Sequence, residues 1–286
     1  MLRGVLLGFG TYFLYSLSDA CLKASGGRLN VVQIIFVATL FSCIVLLFSK
    51  PKTEQWTDMV RMRHPVLLCV RVVMAICCGV FGAYAFTTLP LAETYALLFL
   101  MPVFVAALSV LVLGERLGWA GLLAVLIGLG GILLVVRPGF RELQLGHLAG
   151  IANALCAAVS LLILRKIGRT ERRIAMLGTL IIGMLVFTGA ATIFLYVPPT
   201  PREWLLLALC GIFGGIGQLG LMAATRNAPA NRIGPIQYSQ MIWAVILGAL
   251  FFSEYPDWIS VCGIALVCVS GLFVFLRDDP AHRPTG

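Results

Sequence analysis

The chain has 286 residues, 60% of them hydrophobic and only 12% charged, with a net charge of +9. Soluble domains carry about 25% charged residues, so this sequence cannot cover itself with a water-facing surface and reads as an integral membrane protein. The basic excess would point to nucleic acid in a soluble protein; here it marks cytoplasmic loops, and no nucleic-acid partner is expected.

Residues 1–15 hold one positive charge and then an apolar run that lacks a small-x-small cleavage site, which reads as a retained first helix. Ten bilayer-length spans follow from the apolar runs: roughly residues 3–24, 31–49, 65–89, 91–114, 117–136, 146–164, 174–197, 203–226, 233–253 and 257–276. In the first span, Gly8, Tyr12, Tyr15 and Asp19 make an i, i+4, i+7, i+11 stripe. Lys23 stands four residues beyond Asp19, so Asp19 has two readings: a local ion pair drawn to the outer interface, or a substrate or proton role.

Arg71 lies about two turns into the third span, either snorkelling to the cytoplasmic headgroups or facing a cavity with Tyr84. Glu93 falls in the first turn of the fourth span, where a carboxylate complements the helix dipole. Tyr95, Phe99 and Pro102 share one face beyond it, and Pro102 removes a helix hydrogen bond in mid-span, which predicts a kink. Glu115 and Glu254 close tight turns before the fifth and tenth spans and are expected to accept from free N–H groups at the next helix start.

In the sixth span Gly146, Gly150, Asn153, Ala157 and Ser160 form a small-residue stripe suited to close packing, with Asn153 a candidate polar contact. Gln218, among glycines of the eighth span, is a weaker candidate of the same kind. The densest polar run inside a span is residues 237–243. There Gln237, Gln240 and Trp243 share a helical face, and two amides beside aromatics suit a cavity wall. The nine cysteines lie almost wholly in apolar runs and the three histidines near span ends, so no disulfide framework or structural metal site is expected.

With the N-terminus in the cytoplasm, 15 Lys and Arg fall on the inside and 5 on the outside, which favours both termini cytoplasmic. A shift of 139 residues lays Pro90 on Pro229, Glu115 on Glu254 and Trp119 on Trp258. A shift of 142 lays Gly4 on Gly146, Gly8 on Gly150 and Ser18 on Ser160. Equivalent spans are five apart and therefore point in opposite directions. The expected architecture is all-α: ten transmembrane helices as two inverted five-helix repeats, residues 1–139 and 140–286, around a central cavity.

The runs LPLAETYA (residues 89–96), PVF (102–104), LGER (113–116) and VVRPG (135–139), with Arg71 near the start of the third span, resemble the drug/metabolite transporter superfamily in its EamA-type branch. The resemblance covers nearly the whole chain. It implies a cavity lined mainly by the first, third, fourth, sixth, eighth and ninth helices, small organic solutes including amino acids as substrates, and no bound cofactor. The second half departs from the pattern, with Arg232 where Glu93 maps and Met241 where Pro102 maps.

The expected function is a secondary transporter, an exporter of amphipathic metabolites in a bacterial inner membrane, as a monomer or weak homodimer. The expected substrate contacts are Tyr12, Tyr15, Arg71, Tyr84, Tyr95, Phe99, Asn153, Gln237, Gln240 and Trp243. Asp19 and Glu93 are the candidate coupling carboxylates, but Lys23 and the helix dipole would hold them charged, so uncoupled movement is expected over proton antiport. The alternatives are an uptake carrier for a metabolite or vitamin-like solute and an intramembrane lipid-modifying enzyme. The sequence offers neither an HExxH motif, an in-span histidine pair nor an Asp/Glu cluster to support the enzyme.

Overall fold

The computed structural model describes residues 2–47, 62–113, 119–137, 143–167, 170–171, 173–227 and 234–277. These form helices and turns, with no strand among the described residues: α1 (Leu2–Ala24), α2 (Val31–Leu47), α3 (Pro65–Thr88), α4 (Leu91–Leu98), α5 (Met101–Leu113), α6 (Trp119–Val136), α7 (Leu145–Ile167), α8 (Arg173–Leu195), α9 (Pro201–Asn227), a 3-10 turn (Gly234–Tyr238), α10 (Ser239–Phe252) and α11 (Trp258–Arg277).

Five helical stretches among the described residues are long and apolar enough to cross a bilayer: Pro65–Thr88, Leu91–Leu108, Leu145–Leu164, Gly178–Leu195 and Pro201–Ala224. Val31–Val45, Leu126–Val136, Ile236–Phe252 and Trp258–Ser270 are apolar but shorter, and the 23-residue α1 falls in neither group, so length and hydropathy together do not reach the expected ten. Side chains such as Val66, Leu133, Val186, Phe194 and Phe251 stand exposed on the outside. That surface suits hydrocarbon and not water.

Helix ends follow local chemistry. Pro65 opens α3, where its missing N–H costs nothing, and Pro90 separates α3 from α4. The fourth span breaks where Pro102 predicts it. The chain turns through Phe99 and Leu100, with the Leu100 N–H reaching back only three residues to the Leu97 carbonyl at 3.1 Å. Thr200 and Glu203 form a reciprocal capping box at the start of α9 (3.3 and 2.7 Å). The Gln33 amide, fully buried, makes both bonds of a strand-like pair with the Val197 backbone (2.7 and 2.9 Å), pinning the end of α8 to α2. Asp257 caps α11 by accepting from the Ser260 N–H at 3.0 Å and pairs with Arg137 at the end of α6. The Arg137 guanidinium first, then the Ser260 hydroxyl and N–H, hold the Asp257 carboxyl well below its ordinary range.

One expectation needs correction. Glu254 does not cap the next helix; its Oε2 accepts from the Leu91 N–H at the start of α4, 2.9 Å away, and Asp257 does the capping. The turn holding Glu115 lies outside the described residues.

Helix α4 is buried nearly all round, through Leu91, Ala92, Thr94, Tyr95, Ala96 and Leu97. It packs into one core with Val135 and Val136 of α6, Ala244 and Leu247 of α10, and Ile264 and Val267 of α11. Around it α1 lies on α9 and α10, α3 on α7 and α8, α2 on α8 and α9, α5 on α7, and α6 on α11.

Candidate functional site

Three helices meet at Tyr95. Its hydroxyl donates to Asp19 Oδ2 on α1, and the Gln240 amide of α10 donates to the same hydroxyl at 3.3 Å. Tyr95 and Gln240 are buried, whereas Asp19 is only partly so. A chain of hydrogen bonds thus runs carboxylate, phenol, amide across elements 76 and 145 residues apart. Each member orients the next, which is how a few polar groups in an apolar interior hold a fixed geometry.

Aromatic rings surround this chain. Tyr95 meets Phe86 edge-on at 5.2 Å between centroids and Phe99 at 5.8 Å, and Phe99 meets Tyr238 at 5.0 Å. On the neighbouring face of α10, Trp243 packs at 4.6 Å between centroids against Phe13 of α1, the rings inclined at 57°. Further along α1, Tyr12 and Tyr15 face each other at 6.1 Å, and the Tyr15 hydroxyl donates to Gln218 Oε1 on α9 at 2.8 Å. Two buried donors one turn apart on α10, Ser239 Oγ and Trp243 Nε1, have no hydrogen-bond partner. Leaving such groups unpaired is costly, so their natural complement is a polar ligand or water.

From the sequence-derived set the fold therefore joins Asp19, Tyr95, Phe99 and Gln240, with Trp243 packed against the same core, while Tyr12 and Tyr15 form a second cluster with Leu221, Ala224 and Ile236. Asn153 lies on the flank of α7, donating to the Cys78 carbonyl on α3 at 2.6 Å. Gly150, one turn before it, leaves no room for a Cβ beside Leu97, so this stripe packs closely as the sequence indicates. Arg71 is elsewhere: it is buried, and its guanidinium donates to the Met176 carbonyl at 3.0 Å, tying α3 to α8. Tyr84 is exposed, and so is Gln237. Gln237, at the end of the 3-10 turn, does not share the burial of Gln240.

The ion pair expected between Asp19 and Lys23 is not formed. Lys23 Nζ lies 2.7 Å from Glu254 Oε1, also donates to the Leu89 carbonyl, and stands 5.3 Å from the Phe252 ring centroid. Its long stem carries the ammonium outward along α1, while the short Asp19 side chain turns inward to Tyr95. Beside this ion pair a cavity of about 210 Å³ opens, lined by Pro90, Glu93, Ala244, Glu254 and Tyr255 among others. Glu93 sits in the first turn of α4, as expected, with Oε2 3.8 Å from His147 Nε2.

Phe13, Phe86 and Tyr238 were not singled out by the sequence. Phe13 lies one residue off the Tyr12–Tyr15–Asp19 stripe, and the aromatic density of α1 was the available signal.

Comparison with known proteins gives a consistent picture. The EamA-like transporter family matches residues 2–137 and 144–276. The pseudopaline exporter CntI of Pseudomonas aeruginosa PAO1 is 28% identical over 93% of this chain and 94% of its own. An S-adenosylmethionine uptake transporter of Rickettsia felis is 25% identical over 98% of this chain and 96% of its own. An uncharacterised transporter of Helicobacter pylori J99 is 25% identical over 96% and 95%. A solved crystal structure superimposes with a TM-score of 0.66 at 19% identity, covering 98% of this chain and 99% of that one, which shows a shared fold.

Proposed function

This chain belongs to the EamA-like transporter family, and from that premise we propose that it is a secondary carrier exporting small organic metabolites, such as amino acids or related amphipathic solutes. Transport proceeds by alternating access at the Asp19–Tyr95–Gln240 cluster, between two inverted five-helix repeats spanning residues 1–139 and 140–286. The observation that carries this reading is the hydrogen-bond chain itself, which joins α1 and α4 of the first half to α10 of the second. Inverted-repeat carriers place their substrate site at such an interface. The helix contacts support the repeat: exchanging each span for the one five away turns the α1–α9 pair into α7–α3 and the α1–α10 pair into α7–α5, and all four pairs are in contact.

Relatives named for export and for uptake both align over nearly the full chain, so uptake is the second reading. The uncoupled movement expected from an Asp19–Lys23 pair loses that support, because Lys23 is held by Glu254.

Counterflow in proteoliposomes tests the site. Gln240→Ala and Trp243→Ala should each reduce exchange by at least about tenfold, the factor for one lost interaction of 1.4 kcal/mol, without lowering membrane abundance. Normal exchange in both variants would place the site elsewhere. The inner-membrane topology, with both termini cytoplasmic, is tested separately by single cysteines. Sites in the 165–173 loop should be closed to an external impermeant maleimide and sites in the 254–257 turn open to it; labelling of the basic loop in intact cells would reverse the orientation.

A further inference from the structure

We propose that Asp19 is the counter-ion of the transported solute, and that the solute carries a positive head, an ammonium or sulfonium, on an apolar body. The inference rests on the carrier reading and adds the substrate's charge to it.

Asp19 lies five residues before the end of α1, about 7–8 Å along the axis at 1.5 Å per residue, with its side chain turned inward to Tyr95. An ionised carboxylate there is costly unless a cation or several donors compensate it. The cation closest in sequence, Lys23, is committed to Glu254 and the Leu89 carbonyl. Arg71 is committed to the Met176 carbonyl, toward the opposite end of α3. Among the described residues, no Lys, Arg or His pairs with Asp19. Its one side-chain partner is the Tyr95 hydroxyl, a single neutral donor.

The surroundings fit a cation. Phe86, Tyr95, Phe99 and Tyr238 form a continuous run of rings with centroids 5.0–5.8 Å apart, and aromatic rings attract ammonium and sulfonium groups. Gln240 donates to Tyr95 and so keeps the phenol oriented toward the carboxylate. The unpartnered Ser239 hydroxyl and Trp243 indole N–H supply donors for an oxygen elsewhere on the same solute. A zwitterion satisfies both ends; an anion would face Asp19 with no compensating cation.

Three aromatic probes of poor membrane permeability separate the cases: benzyltrimethylammonium, phenylalanine and phenylmethanesulfonate. The first readout is the thermal unfolding midpoint of the solubilised protein, which rises with ligand occupancy. Benzyltrimethylammonium and phenylalanine should raise it and phenylmethanesulfonate should not. Asp19→Asn should abolish the rise with benzyltrimethylammonium, and Asp19→Glu, which keeps the charge, should retain it and show that the helix still folds around a carboxylate. Absence of any rise with the cation, an equal rise with the sulfonate, or a rise unchanged in Asp19→Asn overturns the assignment. The second readout is counterflow of the same probes. Charge-selective binding without exchange leaves the counter-ion role intact and overturns the carrier reading; exchange of the sulfonate alone does the reverse.

Discussion

Gly263→Ala should lower the melting temperature and membrane abundance of this protein, while Gly130→Ala, on the partner helix, should not. Gly131 of α6 and Gly263 of α11 face each other where the two helices cross. A Cβ at 263 would lie 2.6 Å from the Gly131 carbonyl oxygen, and one at 131 would lie 2.8 Å from the Gly263 carbonyl oxygen. Neither obstacle is a side chain that can swing aside; both are backbone, so the helices must separate. Separation opens the contact of Val135 with Val267 and Ile264 that backs the buried α4. Overpacking typically costs about 1–3 kcal/mol, and a clash against backbone belongs at the upper end of that range. In a membrane the helix contact depends on close packing of small residues, since lipid offers apolar surface as good as a neighbouring helix. At Gly130 a Cβ meets nothing within 4 Å, so alanine there gains the helix-propensity difference of about 1 kcal/mol. Thermal unfolding of the two variants in one detergent decides it; equal midpoints would mean that the crossing is not close in solution.

Much of this architecture was legible because it is written in local punctuation. Pro90 and Pro102 delete backbone donors wherever they occur, so the α3–α4 boundary and the break at Phe99–Leu100 could be read without a partner in view. The Gly146–Gly150 stripe is likewise a statement about space that any close neighbour satisfies. What the sequence could not show is which charge meets which. A spacing of four residues puts Lys23 within reach of Asp19, yet its partner is Glu254, 231 positions away. The same holds for Asp19, whose partner Tyr95 lies on another helix.

On the proposed orientation, breaking the Lys23–Glu254 pair should loosen the outer face of the protein and leave the aromatic cluster in place. Glu254 performs two tasks with two oxygens: Oε1 holds the Lys23 ammonium at the end of α1, and Oε2 accepts from the first N–H of α4. The pair lies just beyond the end of α10, where Ser253 adopts a left-handed conformation (φ 55°) that turns the chain back toward α4. One residue therefore latches α1, α4 and α10, elements of both halves. The two side chains are only 11% and 21% exposed, so removing one partner leaves a mostly buried charge unpaired. Glu254→Gln retains an acceptor for Leu91 and loses only the ion pair, whereas Glu254→Ala loses both. The expected order of outer-face opening is wild type below Gln, and Gln below Ala. Ala244, 1% exposed and lining the adjacent 210 Å³ cavity, provides the reporter. In Ala244→Cys protein, labelling by an external impermeant maleimide should rise in that order, measured against the same variants without the introduced cysteine. Exchanging the charges, Lys23→Glu with Glu254→Lys, should restore the ion pair but not the acceptor for Leu91. Its labelling should therefore fall back only part of the way toward wild type. Labelling that stays at the wild-type level in Glu254→Ala would show that the outer face is held closed by other contacts, and would remove the latch.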